Sequence, residues 1–515
     1  MQNLIKHRRG HSETTRLVLA AFIILTEIVF LYFLASAGME FALSSIAVTL
    51  ALLIQLRFGI REDAATPADI VVFIFNWLFL DLAPKIQLLS VPGILVNTST
   101  VAPEGVLVTN LICALFIVTF TVAYASLNKP SKAEKLRPQL EPQLGPVDAV
   151  AARGTGSDTA KYQFNRFGIC LTLCICLLAV AVFGKSAYVT TDTPTITPTD
   201  MIVRKFLLFL PSATLLMLLH ETLRSGRKLL FSRGCVLLLL ALLVAVTENP
   251  FTEKRNGLGP IYLSLIFILF ELRLGSLNRR LMLLIASMVV VFPAITVLTH
   301  NRIQIQNGGQ VTLSSAVETL KDHYFSTNYD AWANIYTTVE MVGRQGIHWG
   351  QQLLGSILFF VPSSFWHAKP FATGIVIGNY LIANYSMWFT NLSAPLIAEG
   401  YIDFGAIGVA LYAIGLAWLV ARMNRVEAAG RKWAFFPMAV YGAFFLMFAL
   451  RGSLMIAIAY GTAGFLSFLA ASALLSTGSR QIGQRYFRAE VQSHLPVDGS
   501  MPRLGQSSFH HQSRG

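Results

Sequence analysis

Apolar runs about as long as a bilayer is thick recur along the chain from Leu17 to Ser476, and that recurrence limits the fold more than any other feature. An α-helix rises about 1.5 Å per residue, so about 20 apolar residues cross roughly 30 Å of hydrocarbon. A transmembrane β-barrel would instead show short segments of alternating polarity. Of 515 residues, 54% are hydrophobic and 13% charged, too little polar surface for a set of soluble domains. The expected fold is an all-α polytopic membrane protein of about 12 transmembrane helices, near residues 17–37, 41–56, 68–84, 104–126, 167–185, 206–222, 232–247, 258–272, 281–299, 404–421, 433–450 and 454–475. The first run follows a basic start and lacks a small-residue cleavage site, so it reads as a span and not as a cleaved signal.

The charges orient these spans. The formal net charge of +13 would suit nucleic acid, but its distribution argues against such a partner. With a cytoplasmic N-terminus, 29 of the 40 Lys and Arg fall in inner segments, which is the positive-inside asymmetry. Both termini are then cytoplasmic. Residues 1–16 form a basic leader, 17–126 hold helices 1–4, 127–166 a polar inner linker and 167–299 helices 5–9. Residues 300–403 form one long outer segment, 404–475 hold helices 10–12, and 476–515 are a basic polar tail. The apolar stretch Leu353 to Val361 is about half a span long, so it is expected to be a re-entrant or interfacial helix. Ser314 to Val342 carries a broken helical pattern compatible with one or two amphipathic helices along the membrane.

Polar features inside the spans are few. Glu27 and Asp81 are ionisable groups at membrane depth; each is either functional or one half of a helix–helix hydrogen bond. All five cysteines lie in apolar spans and read as small packing residues, with no disulfide framework and no metal site. The chain has no phosphate loop, no His-Glu-x-x-His and no nucleophile elbow, and no cofactor or metal is expected.

The chemistry is therefore argued from the charges on the outer face. Lys254, Arg255, Arg302, Arg344, Lys369 and Arg451 stand there beside Glu340, Glu399 and Asp403. Lys254 and Arg255 either bind an anion or are neutralised by Glu248 and Glu253. A guanidinium fork matches phosphate oxygens in pairs, so Arg255, Arg302, Arg344, Lys369 and Arg451 are the candidate ligands of a lipid-linked diphosphate, and their charge would stabilise it as a leaving group. Glu399 is the first candidate to take the proton from an attacking sugar hydroxyl, with His367 and Asp403 next. Trp366 and Tyr401 are candidate faces for stacking on a sugar ring. Pro362 and Pro370 bracket a stretch that cannot be regular helix.

Two stretches carry a resemblance. Val361-Pro362-Ser363-Ser364-Phe365-Trp366-His367-Ala368-Lys369-Pro370 is followed by Pro395-Leu396-Ile397-Ala398-Glu399-Gly400-Tyr401-Ile402-Asp403-Phe404-Gly405-Ala406-Ile407-Gly408, and an Arg451-Gly452 pair comes two spans later. This pattern resembles the oligosaccharide repeat-unit polymerases of the Wzy type, which include O-antigen and exopolysaccharide polymerases. Ser363 or Ser364 stands where many members carry Arg, which shifts weight to Lys369. The resemblance implies a GT-C-like glycosyltransferase of the bacterial inner membrane. It would transfer a growing glycan from undecaprenyl diphosphate to the next lipid-linked repeat unit, and it allows a chain-length regulator as a partner. A ligase acting on another lipid acceptor, or a non-enzymatic lipid-glycan flippase, is the alternative.

Overall fold

The computed structural model describes residues 2–33, 39–62, 64, 66–91, 93–128, 166–188, 198–224, 231–248, 255–271, 280–281, 284–286, 322–425 and 435–476. Over these residues the chain is helical apart from connecting turns and one antiparallel bridge between Ile94 and Thr100. In chain order the helices are α1 (Gln2–Phe33), α2 (Met39–Phe58), α3 (Ala68–Trp77), α4 (Ala83–Ser90), α5 (Pro103–Leu127), α6 (Arg166–Tyr188), α7 (Pro198–Arg224) and α8 (Phe231–Thr247). They continue as α9 (Arg255–Glu271), α10 (Ala331–Gln345), α11 (Gln351–Ile357), α12 (Thr373–Tyr385), α13 (Leu396–Asn424), α14 (Phe435–Arg451) and α15 (Leu454–Ser476). Five stretches are long and apolar enough to cross a membrane: Glu13–Phe33, Pro103–Leu127, Lys205–Leu223, Leu396–Asn424 and Leu454–Leu475. Shorter apolar stretches lie in α2, α6, α8, α9 and α14. The chain is an all-α, multi-pass membrane protein by the length and composition of its helices. The span expected at 281–299 lies almost wholly outside the described residues, as do the linker 129–165 and the tail from 477.

A central rod organises the packing. Between α3 and α4 the chain makes a π-helical turn, Leu78–Leu82, whose flanking residues keep right-handed helical angles. Every residue from Ala68 to Lys85 is buried, as expected of a helix with apolar residues on every side, and the polar Asp69, Asn76, Asp81 and Lys85 are buried with them. The rod packs against α2, α13 and α14, while α5 packs on α2 and α13, and α7 on α15.

The connections gather at two opposite ends. At one end Arg16 donates to the Ile60 carbonyl (2.9 Å), Arg61 to Asn128 (3.1 Å) and Arg280 to Ala64 (2.7 Å), and Arg425 donates to Leu127. These arginines cap carbonyls left unpaired where helices stop. At the other end the Gln87 amide donates to the carbonyls of Tyr324 (2.8 Å) and Tyr329 (3.0 Å), and the Tyr336 hydroxyl to that of Thr100 (3.0 Å).

The segment after residue 321 builds this second end. Ala331 to Thr338 of α10 are all buried, and α10 packs on α5 and α13. The helix is sunk into the bundle at its start, with the Trp332 indole donating to Asn110 of α5 (2.9 Å). α11 is only 7 residues long, and residues 358–370 run as turns. α13 kinks where Phe404 (φ −142°) and Gly405 (φ 62°, ψ −146°) leave helical geometry. The Gly405 conformation is close to one reserved for glycine. One turn later a Cβ on Gly408 would lie 1.9 Å from the Gly400 carbonyl oxygen, so the two halves of the helix touch backbone to backbone.

Candidate functional site

The half-helix before that kink, Leu396 to Asp403, carries two buried acids. Glu399 and Asp403 are four residues apart, on one face, and both are fully buried. Like charges at that spacing repel, so each needs donors. The Glu399 Oε1 atom accepts the Leu454 backbone N–H (2.7 Å) and Oε2 accepts the Thr373 hydroxyl (2.6 Å). Asp403 accepts the backbone N–H groups of Gln352 (3.0 Å) and Leu353 (2.9 Å) and the Tyr412 hydroxyl (2.9 Å). Leu454 opens α15, Thr373 opens α12, and Gln352 lies in the first turn of α11. Helix starts present unpaired N–H groups and partial positive charge, and here they converge on two carboxylates.

Leu454 ties this hub to Arg451. The turn Arg451-Gly452-Ser453 joins α14 to α15, and its Ser453 hydroxyl oxygen accepts the Gly374 N–H (2.9 Å). The Arg451 Nη2 atom donates to the Thr327 carbonyl (2.6 Å) and to Asp330 (3.1 Å). Asp330 is 2% exposed at its side chain and also accepts the Ser393 hydroxyl (2.6 Å) and the Asn334 amide (3.0 Å). Asn334 in turn accepts from Asn97 (2.9 Å), so the network reaches the 93–101 connection. Asp330, Asn334, Thr373 and Ser393 escaped the sequence reading. Asp330 did leave a signal, an acid directly before a helical run at Ala331.

The remaining candidates sit in separate clusters. Arg344 is half-exposed and pairs with Glu340 (2.6 Å), which also accepts the hydroxyls of Tyr385 (2.6 Å) and Tyr380 (3.1 Å). Burial, reinforced by the Glu340 carboxylate, pushes Tyr380 up to about 12 and raises Tyr385 as well. The Lys369 ammonium donates to the carbonyls of Phe359 (2.7 Å) and Val361 (2.8 Å), and burial holds its pKa below the usual lysine value. Trp366 is partly buried and His367 exposed in the same loop, and Tyr401 packs partly buried against the main core. Arg302 and the Arg255 side chain lie outside the described residues. The structure thus ties Glu399 to the residue that follows the Arg451 turn, sets Asp403 beside Glu399 on α13 with partners of its own, and gives Arg344 and Lys369 other partners. Among the described residues no three metal-binding side chains come together.

Neither protein-family models nor curated proteins nor solved structures show a match to this chain. Fold and site define a class: a helical, multi-pass membrane protein with a buried acid pair at the head of a kinked helix.

Proposed function

We propose that this protein is a membrane glycosyltransferase that polymerises undecaprenyl-diphosphate-linked oligosaccharide repeat units into a surface polysaccharide at the outer face of a bacterial inner membrane. One observation carries the reading. Glu399 and the Arg451-Gly452 pair, the acid and the basic pair of the polymerase pattern, are some 50 residues apart in sequence yet are linked by the 2.7 Å Leu454 N–H bond to Glu399.

In this reading Glu399 is the general base. Its Oε2 atom already holds a hydroxyl, that of Thr373, in the position an acceptor sugar hydroxyl would take once Thr373 turns aside. Arg451 supplies charge to the departing diphosphate, with Asp330 fixing its orientation until substrate arrives. Asp403 holds α11, and with it the 358–370 turns that carry Trp366 and Lys369, against α13. The resemblance and the apolar spans support the lipid-linked substrate.

The test is replacement of the gene by Glu399→Gln and sizing of the surface glycan. The expected product is single repeat units on the surface lipid. A bare surface with loaded carrier lipid points to a ligase, and wild-type chain length overturns the assignment of Glu399.

A further inference from the structure

Away from the acid hub, a second polar cluster lies deep in the bundle. Lys85 of α4 contacts Glu27 of α1 at 2.5 Å and Asp81 of the π-helical turn at 2.5 Å. All three side chains are at most 7% exposed. The ammonium also donates to the Thr49 hydroxyl oxygen (3.3 Å). The Glu27 Oε2 atom also accepts the hydroxyls of Ser45 (3.0 Å) and Thr49 (2.9 Å). Glu27 Oε1 and both Asp81 oxygens are buried without a hydrogen bond, Asp81 Oδ1 having only its ion contact with Lys85.

Charge and space decide what such a cluster holds. Two carboxylates share one ammonium, and an excess negative charge inside a membrane protein is costly unless something offsets it. Asp81 and Lys85 line a small, partly open hollow together with Ser45, Asn110, Trp332 and Phe30. Its enclosed part has room for about one water molecule. Asn110 is committed to Ser44 and Trp332, which leaves the Asp81 carboxylate as the open acceptor on the hollow's wall. An alkali ion stripped of its water needs several oxygens around it, whereas a proton needs one. The charged groups facing Asp81 are Glu27 from α1 and Lys85 from α4; the residues that α2, α5 and α10 contribute to the hollow are uncharged.

We propose that the Glu27–Lys85–Asp81 cluster is an intramembrane site for one exchangeable proton, taken up on the carboxylates and reached through the hollow beside Trp332. The π-helical turn that presents Asp81 is a local irregularity of the kind that recurs at functional positions. The Asp81 free oxygen gains the proton and no other bond changes, so the site cycles between a net charge of minus one and zero.

Infrared difference spectroscopy of the full-length protein in lipid discs, titrated with pH, tests this. The expected result is one carboxylic-acid carbonyl band that disappears as pH rises, shifts in heavy water, and is absent in Asp81→Asn. Glu27→Gln, which keeps the hydroxyl contacts, is expected to move the titration without abolishing folding. The wild-type titration needs no variant to fold: no such band at any pH overturns the proposal. A band that responds to sodium at fixed pH assigns the site to an alkali ion and also overturns it.

Discussion

Glu399 and Asp403 look alike in sequence, two acids one helical turn apart, but their surroundings separate them. Asp403 binds two backbone N–H groups and a tyrosine hydroxyl, a set that suits a fixed anchor. Glu399 binds one backbone N–H and one side-chain hydroxyl, that of Thr373, which has a second acceptor in the Gln352 amide oxygen (3.3 Å). Glu399→Gln keeps an acceptor for Leu454 and turns the Thr373 contact round, the new amide donating to the hydroxyl oxygen while the hydroxyl hydrogen turns to Gln352, so thermal stability in detergent should stay near wild type while chain growth is lost. Glu399→Ala strands the Leu454 N–H and should cost about 1–3 kcal/mol as well, seen as a lower melting temperature. Arg451→Ala should stop chain growth and also cost about 1.5–3 kcal/mol, because Asp330 loses its charged partner. Normal chain length on the glycan gel of an Arg451→Ala strain would contradict the diphosphate role. Glu399 could be singled out as a candidate because its motif is local, whereas Thr373 could not, since nothing near it in sequence indicates an acid 26 residues away.

The kinked α13 shows how an element turns motif glycines into geometry. Gly408→Ala drives a methyl group into the Gly400 carbonyl and should destabilise by about 1–3 kcal/mol. Gly415→Ala, in the same helix, meets nothing within 4 Å and should be neutral or stabilise by about 0.5–1 kcal/mol. Melting curves of the two variants side by side check this. The α10–α12 contact supplies a pH signature. Tyr380 and Tyr385 both donate to Glu340, and folding raises the pKa of each, Tyr380 to about 12. A group whose pKa rises on folding stabilises fully below its unfolded value, about 10 for tyrosine, and that contribution fades as pH climbs to about 12. Tyrosinate absorbance should therefore contain a late-titrating component that moves to lower pH in Glu340→Gln.

At the scale of the molecule, the long α13 separates two groups of polar contacts, one around Arg425 past its end and one around Glu399 at its start. Arg16, Arg61, Arg280 and Arg425 cap carbonyls at one end, and Glu399, Arg451 and Glu340 occupy the other. Which end faces out is open to direct measurement. With the five native cysteines replaced by alanine, Ser363→Cys should react with an impermeant maleimide in intact cells whose outer barrier is opened. Arg57→Cys should react only after the inner membrane is breached. The reverse pattern would invert the orientation.

Five of the expected spans, a short helix near Leu353 and the break between Pro362 and Pro370 were readable from the chain alone. They follow from the length an apolar helix needs in hydrocarbon and from the φ restriction and missing N–H of proline, which act within a few residues. Tertiary structure alone decided that α10 is sunk against α5 and α13, that Lys85 bridges Glu27 and Asp81, and that three helix starts meet two acids. Asp81 and Lys85 are one helical turn apart, but the other pairings span from 26 to more than 200 residues, and side chains so far apart in sequence are brought together only when helices pack and every buried polar group must find a partner.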